Sequence, residues 1–283
     1  MLKKILYADS GADNARYMLE NILNLPAIKG SDIYILKVIP PKTIQTLEEK
    51  HYSLEEAKAE TDRLIEKLNI TQNNIIRVFR EGDPKLAVLE VAREINADLI
   101  IMGSRGLGRL RSILSNSISQ YVFQLAGRSM LLIKDDIYAK RIKRVMVAID
   151  KSPAAQYALD LAIFLFQGYA DAELYLTRIN PDLQPDVFLS QEDMENNPIL
   201  APAVAKTKSM GLKYRCLVTG GRPAKQICIL AEENNIDLLI LGSPERRPSI
   251  AKNLPDVERL LGSSLSDYIR IQANCPVLLA RQE

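Results

Sequence analysis

Two stretches of this chain, EGDPKLAVLEVAREINADLIIMGS and GGRPAKQICILAEENNIDLLILGS, align without a gap, with Gly242 following Gly103 by 139 residues. The chain starts and ends agree with this. KKILYADSGADNARYML is answered by IKRVMVAIDKSPAAQYAL, and SISQYVFQLAGRSMLLIK by SLSDYIRIQANCPVLLAR, where Ser264 follows Ser117 by 147 residues. The offset grows by eight after Gly242, which marks an insertion in the second copy. A repeat of this length is one domain copied. The 283 residues therefore divide into domains 1–140 and 141–283, joined near KDDIYAKRIKR.

Within each copy, short β-rich apolar runs alternate with segments of helical period. In the first copy strands are expected near 4–8, 32–38, 75–79, 98–102 and 130–134, and helices near 12–24, 52–68, 84–95 and 117–126. Pro84 and Pro223 suit a first helical position, where a missing N–H is harmless. Continuously apolar strands separated by helices imply a parallel sheet covered on both faces. The expected fold class is α/β, with two tandem doubly wound five-stranded parallel-sheet domains.

No apolar run approaches the ~20 residues needed to cross a bilayer, and Asp9 interrupts the start before a signal-type segment develops, so a cytoplasmic chain is expected. Cys216, Cys228 and Cys275 are odd in number and lack metal-ligand spacing, which favours small buried side chains. A single histidine, His51, supports no Ser-His-Asp or metal constellation. The net charge of +2, with no basic stripe interleaved with aromatics, argues against nucleic acid as a partner.

IIMGSRGLGRLRSILSNSIS begins as a buried strand and becomes a loop holding Gly103, Gly106, Arg105, Arg109 and Arg111. From Leu99 to Lys134 there is no acidic residue. A loop leaving the fourth strand of such a sheet lies at its carboxyl edge, where open α/β sheets bind ligands. Gly103 and Gly106 are expected to take positive φ and let the backbone approach a ligand. Ser117 stands at a helix start, where free N–H groups and a hydroxyl favour an anion. The loop reads as a phosphate cradle or, equally, as a turn shaped by glycine and solvated by arginine. It is neither a P-loop nor a Rossmann fingerprint, since Arg109-Leu110 stands where Lys and Ser or Thr would be needed.

MGSRGLGRLRSILSNSISQYV resembles the signature of the universal stress protein family: Gly, two residues, Gly, nine residues, then Gly and Ser or Thr. Gly103, Gly106 and Ser117 fall on that spacing, and Asn116 takes the place of the third glycine, tolerating a left-handed backbone better than most residues. The resemblance extends to the aspartate and serine after each first strand, the G-x-P helix start and the N-C-P-V-L-L close. It implies tandem domains similar to the adenine nucleotide α-hydrolase-like fold, packed as an intramolecular pseudo-dimer, with a homo-oligomer also compatible. The implied nucleotide-binding residues are Asp9, Val38, Met102, Gly103, Arg105, Gly106, Asn116 and Ser117. The implied ligand is ATP with Mg²⁺, the implied role a nucleotide-dependent regulator or interaction module meeting a protein partner, and the implied catalysis at most weak ATP hydrolysis.

The second copy departs from the pattern. Pro244 removes a backbone donor, Glu245 replaces the second glycine, and Asp256 and Glu258 would oppose a polyphosphate, so its motif is expected to be degenerate. Two other readings stay open. Asn116 and the altered second loop suit a nucleotide-free scaffold or small-molecule sensor. An adenylating enzyme would need a histidine pair or a Ser-Gly-Gly loop, and YADSGAD has one glycine and no histidine.

Overall fold

The computed structural model describes residues 2–11, 13–39, 41, 53–68, 72–104, 118–134, 141–184, 189–244 and 265–282. The chain divides into two compact units, Met1–Tyr138 and Ala139–Glu283. In unit 1 the order is β1 (Lys4–Ala8), α1 (Asp13–Leu23), β2 (Asp32–Ile39), α2 (Leu54–Lys67), β3 (Asn74–Glu81), α3 (Pro84–Glu94), β4 (Leu99–Ser104), α4 (Ile118–Leu125) and β5 (Ser129–Lys134). Unit 2 has β6 (Arg144–Ala148), α5 (Pro153–Phe166), β7 (Glu173–Asn180), α6 (Gln191–Glu195), α7 (Ala201–Ser209), β8 (Lys213–Gly220), α8 (Pro223–Glu233), β9 (Leu238–Gly242), α9 (Leu265–Gln272) and β10 (Val277–Ala280).

Every pairing within each unit is parallel. Unit 1 runs β3-β2-β1-β4-β5 and unit 2 runs β8-β7-β6-β9-β10. In each, the chain winds outward through three strands and then returns to the other side of the first. The loops after β1 and β4, or β6 and β9, therefore part at a switch point. Right-handed crossovers put α1 and α2 on one face of the first sheet and α3 and α4, which pack together, on the other. The central strands are apolar on both faces, as burial requires: Ile5, Leu6, Ile35, Ile100 and Ile101 have no exposed surface.

Local chemistry sets the helix ends. Ser53 Oγ accepts from the Glu56 N–H at 3.2 Å while the Glu56 carboxylate accepts from the Ser53 N–H at 2.9 Å, a reciprocal cap on α2. Pro84 and Pro223 do open α3 and α8. Both helices finish just before an asparagine in the left-handed region, Asn96 at φ 54° and Asn235 at φ 48°. The repeat thus extends to the stop signal. One expectation needs correction: Gly103 lies inside β4 with an extended backbone, outside the positive-φ region, because pairing with Ile133 of β5 carries the strand through it.

Candidate functional site

β1 stops at Ala8, opposite Leu36, and the Asp9 N–H makes one more bond to the Leu36 carbonyl at 2.9 Å before the chain turns away. β2 continues to Ile39, paired only with β3. Strand alternation then points the Val38 N–H and carbonyl to the side that β1 has left. On the opposite flank, Met102 pairs with Ala8, whereas Gly103 and Ser104 pair only with β5. Asp9, Val38, Met102 and Gly103 thus gather around one carboxyl-edge gap. Arg105, Gly106, Asn116 and Ser117 lie outside the described residues, as does His51.

Asp9 is not a solvated carboxylate. Its side chain is 6% exposed; Oδ1 accepts from the Gly11 N–H at 2.9 Å and Oδ2 from Lys37 Nζ at 2.9 Å. Lys37 also meets Glu60 of α2 at 2.9 Å. A cavity of about 260 Å³ opens between α1 and α2, with Asp9, Lys37 and Glu60 joined by Arg16, Arg63 and Lys67 in its lining. Lys37 and Glu60 were missed by sequence reasoning. The available signal was a lysine inside an otherwise apolar strand, YILKVI.

The two units differ at this point by one residue. The Ile149 N–H bonds to the Thr177 carbonyl at 2.8 Å as the Asp9 N–H does to that of Leu36, so Ile149 is the counterpart of Asp9, and Ser10 is that of Asp150. Asp150 is exposed and accepts from the Ser152 N–H at 2.8 Å. The counterpart of Lys37 is Arg178, whose buried Nε has no hydrogen-bond partner.

In unit 2 the backbone itself crowds the edge. A Cβ on Gly242 would stand 2.2 Å from the Ala154 carbonyl carbon and oxygen, and one on Gly220 would stand 1.9 Å from the Leu183 carbonyl oxygen. Pro244 is exposed just beyond β9, while Glu245, Asp256 and Glu258 lie outside the described residues.

Cys216 and Cys275 are buried and Cys228 is half-buried, none of them in a disulfide. Burial pushes the Cys216 thiol up to about 11, with the nearby Glu195 carboxylate adding to the shift, which makes it inert at neutral pH. Among the described residues no group of three or more His, Cys, Asp and Glu could hold a metal ion, and no helix is long and apolar enough to cross a membrane.

The model of the universal stress protein family matches residues 1–134 and 141–281. This chain belongs to the universal stress protein family, twice over. A universal stress protein of Methanocaldococcus jannaschii is 24% identical over 155 residues, spanning 47% of this chain and 96% of its own. One from Synechocystis is 28% identical over 137 residues, 47% of this chain and 86% of its own. The crystal structure of a universal stress protein from Archaeoglobus fulgidus is similar along 99% of this chain and 96% of its own, with a TM-score of 0.68 at 21% identity. That likeness bears out the α/β fold of parallel sheets, and the double family match bears out the tandem arrangement.

Proposed function

We propose that unit 1 is the nucleotide-binding module of a cytoplasmic stress-response protein, taking ATP with Mg²⁺, and that nucleotide state changes which protein partner it meets. The observation that carries this is the gap at the β1/β4 switch point, which the Val38 backbone and Gly103 flank and Asp9 adjoins, with the charged cavity of Asp9, Lys37 and Glu60 opening beside it. The sequence of the adjoining loop, with Gly106 and Ser117 at the family spacing and no acidic residue, suits the phosphates. Mg²⁺ would enter with the phosphates, which commonly supply much of its coordination, in keeping with the lack of a three-ligand group among the described residues. Efficient hydrolysis is no part of this reading, because both Asp9 oxygens already accept hydrogen bonds, one of them from the Lys37 ammonium, which leaves this carboxylate poorly placed to take a proton from water.

The reading assigns one nucleotide to each chain, held by unit 1. Pro244 and Glu245 disfavour a phosphate in unit 2, where the Ala154 backbone also stands close to Gly242. Isothermal titration of ATP and MgCl₂ into the intact chain tests this, with mass spectrometry of ligand retained through native purification. A stoichiometry near one is expected. Two equivalent sites would overturn the assignment to unit 1, and no binding would favour the nucleotide-free sensor that Asn116 also suits.

A further inference from the structure

Lys37 is 8% exposed, in a strand whose neighbours Ile35, Leu36 and Ile39 belong to the core. Burying an ammonium is costly unless charge and hydrogen bonds compensate it. Here they come from Asp9 at 2.9 Å and Glu60 at 2.9 Å. The three groups are not equivalent. Glu60 has a side chain 42% exposed, so water screens it, whereas that of Asp9 is only 6% exposed and depends on Lys37. The other charges facing the cleft are Asp13 and Arg16 of α1, paired at 3.0 Å, with Arg63 and Lys67 of α2. None of these is paired with Asp9.

The fold does not require this carboxylate. At the corresponding place unit 2 carries Ile149, 7% exposed, within the same pattern of strand pairing. A buried ion pair is a poor source of stability compared with such apolar packing. Unit 2 keeps a cation, Arg178, at the place of Lys37, so it is Asp9, and its pairing with that cation, that is better explained by what occupies the cleft above it. Resting on the nucleotide reading of unit 1, we propose that Lys37 is a positioning residue of that site. Its ammonium holds Asp9 and cancels its charge, so that a polyanionic nucleotide can settle beside a buried carboxylate. Without the ammonium, the carboxylate would repel the phosphates through a poorly screened medium.

A double-mutant cycle read by titration calorimetry on the full chain tests this, with ATP, AMP and adenosine as probes. Lys37→Met should weaken ATP about tenfold, AMP less, and adenosine by under about twofold, because the repulsion scales with ligand charge. On an Asp9→Asn background, Lys37→Met should change ATP affinity by less than about twofold. Equal losses for ATP and adenosine, a loss that persists on the Asp9→Asn background, or unchanged ATP binding by Lys37→Met would each overturn the proposal. Should Lys37→Met alone fail to fold, Asp9→Asn and Asp9→Asn/Lys37→Met, which contain no uncompensated Asp9 charge, can still overturn it. ATP binding more than about threefold weaker in the double variant than in Asp9→Asn would sink the idea. A parent chain that binds none of the three probes would overturn the proposed function and this inference together, whereas a binding parent with an indifferent Lys37→Met overturns the inference alone.

Discussion

Asp237 Oδ2 accepts from the backbone N–H of Arg144 at 2.8 Å and of Lys143 at 3.0 Å, tying the end of the α8–β9 turn to the start of β6. Asp98 repeats the device in unit 1, with the N–H groups of Lys3 at 2.7 Å and Lys4 at 2.9 Å. Both carboxylates satisfy strand-initial donors that no neighbouring strand reaches. Asp237 is buried and Asp98 only half-buried, so Asp237→Ala should cost about 2–3 kcal/mol and Asp98→Ala about half of that. Native-state hydrogen exchange at β6 and β1 measures the two effects; a larger loss at Asp98 would contradict the ranking.

Gly242 is needed for space rather than for φ. Gly242→Ala should destabilise unit 2 by more than about 3 kcal/mol, since the clash is with the Ala154 backbone and not with a flexible side chain. Gly211, at φ +68° with nothing within 4 Å of an added Cβ, should lose only about 1 kcal/mol on the same change. Urea denaturation of the two variants compares them, and equal midpoints would show that the end of β9 yields.

Cys216 makes stability fall at alkaline pH. Its folded thiol is raised to about 11 from an ordinary value of 9.0, so between these values the unfolded chain loses the proton while the folded chain keeps it. Stability then drops by up to about 1.4 kcal/mol per pH unit from pH 9 towards 11. In Cys216→Ala this component of the slope should vanish. An unaltered slope in the variant would mean that the thiol titrates alike in both states.

On the proposed nucleotide reading, Gly106→Val should abolish ATP binding with little change in the thermal midpoint, because a β-branched residue resists the left-handed φ expected of that glycine from the sequence and would block phosphate approach. Calorimetric titration beside a melting curve separates the two outcomes. ATP affinity equal to that of the parent would remove the loop from the site.

The doubling of the fold was legible because a repeat is a comparison of the chain with itself and needs no third dimension. Strand and helix positions followed for a related reason: the apolar run at 4–8 and the helical period of 84–95 are local signals, and the segments found are Lys4–Ala8 and Pro84–Glu94. The conformation of Gly103 was misread because a glycine after a strand looks the same whether the strand stops or continues, and only pairing with Ile133 decides. Asp9 could be picked out as a residue that ends a strand. Its environment could not, because Lys37 and Glu60 reach it from 28 and 51 residues along the chain, through a strand pairing and a helix crossover that no local period encodes. The same holds for Gly242 against Ala154. Sequence by itself determined which segments become elements and that they come twice; tertiary structure alone decided which buried charge meets its partner and which glycine must stay bare, because both depend on distances between residues remote in the chain.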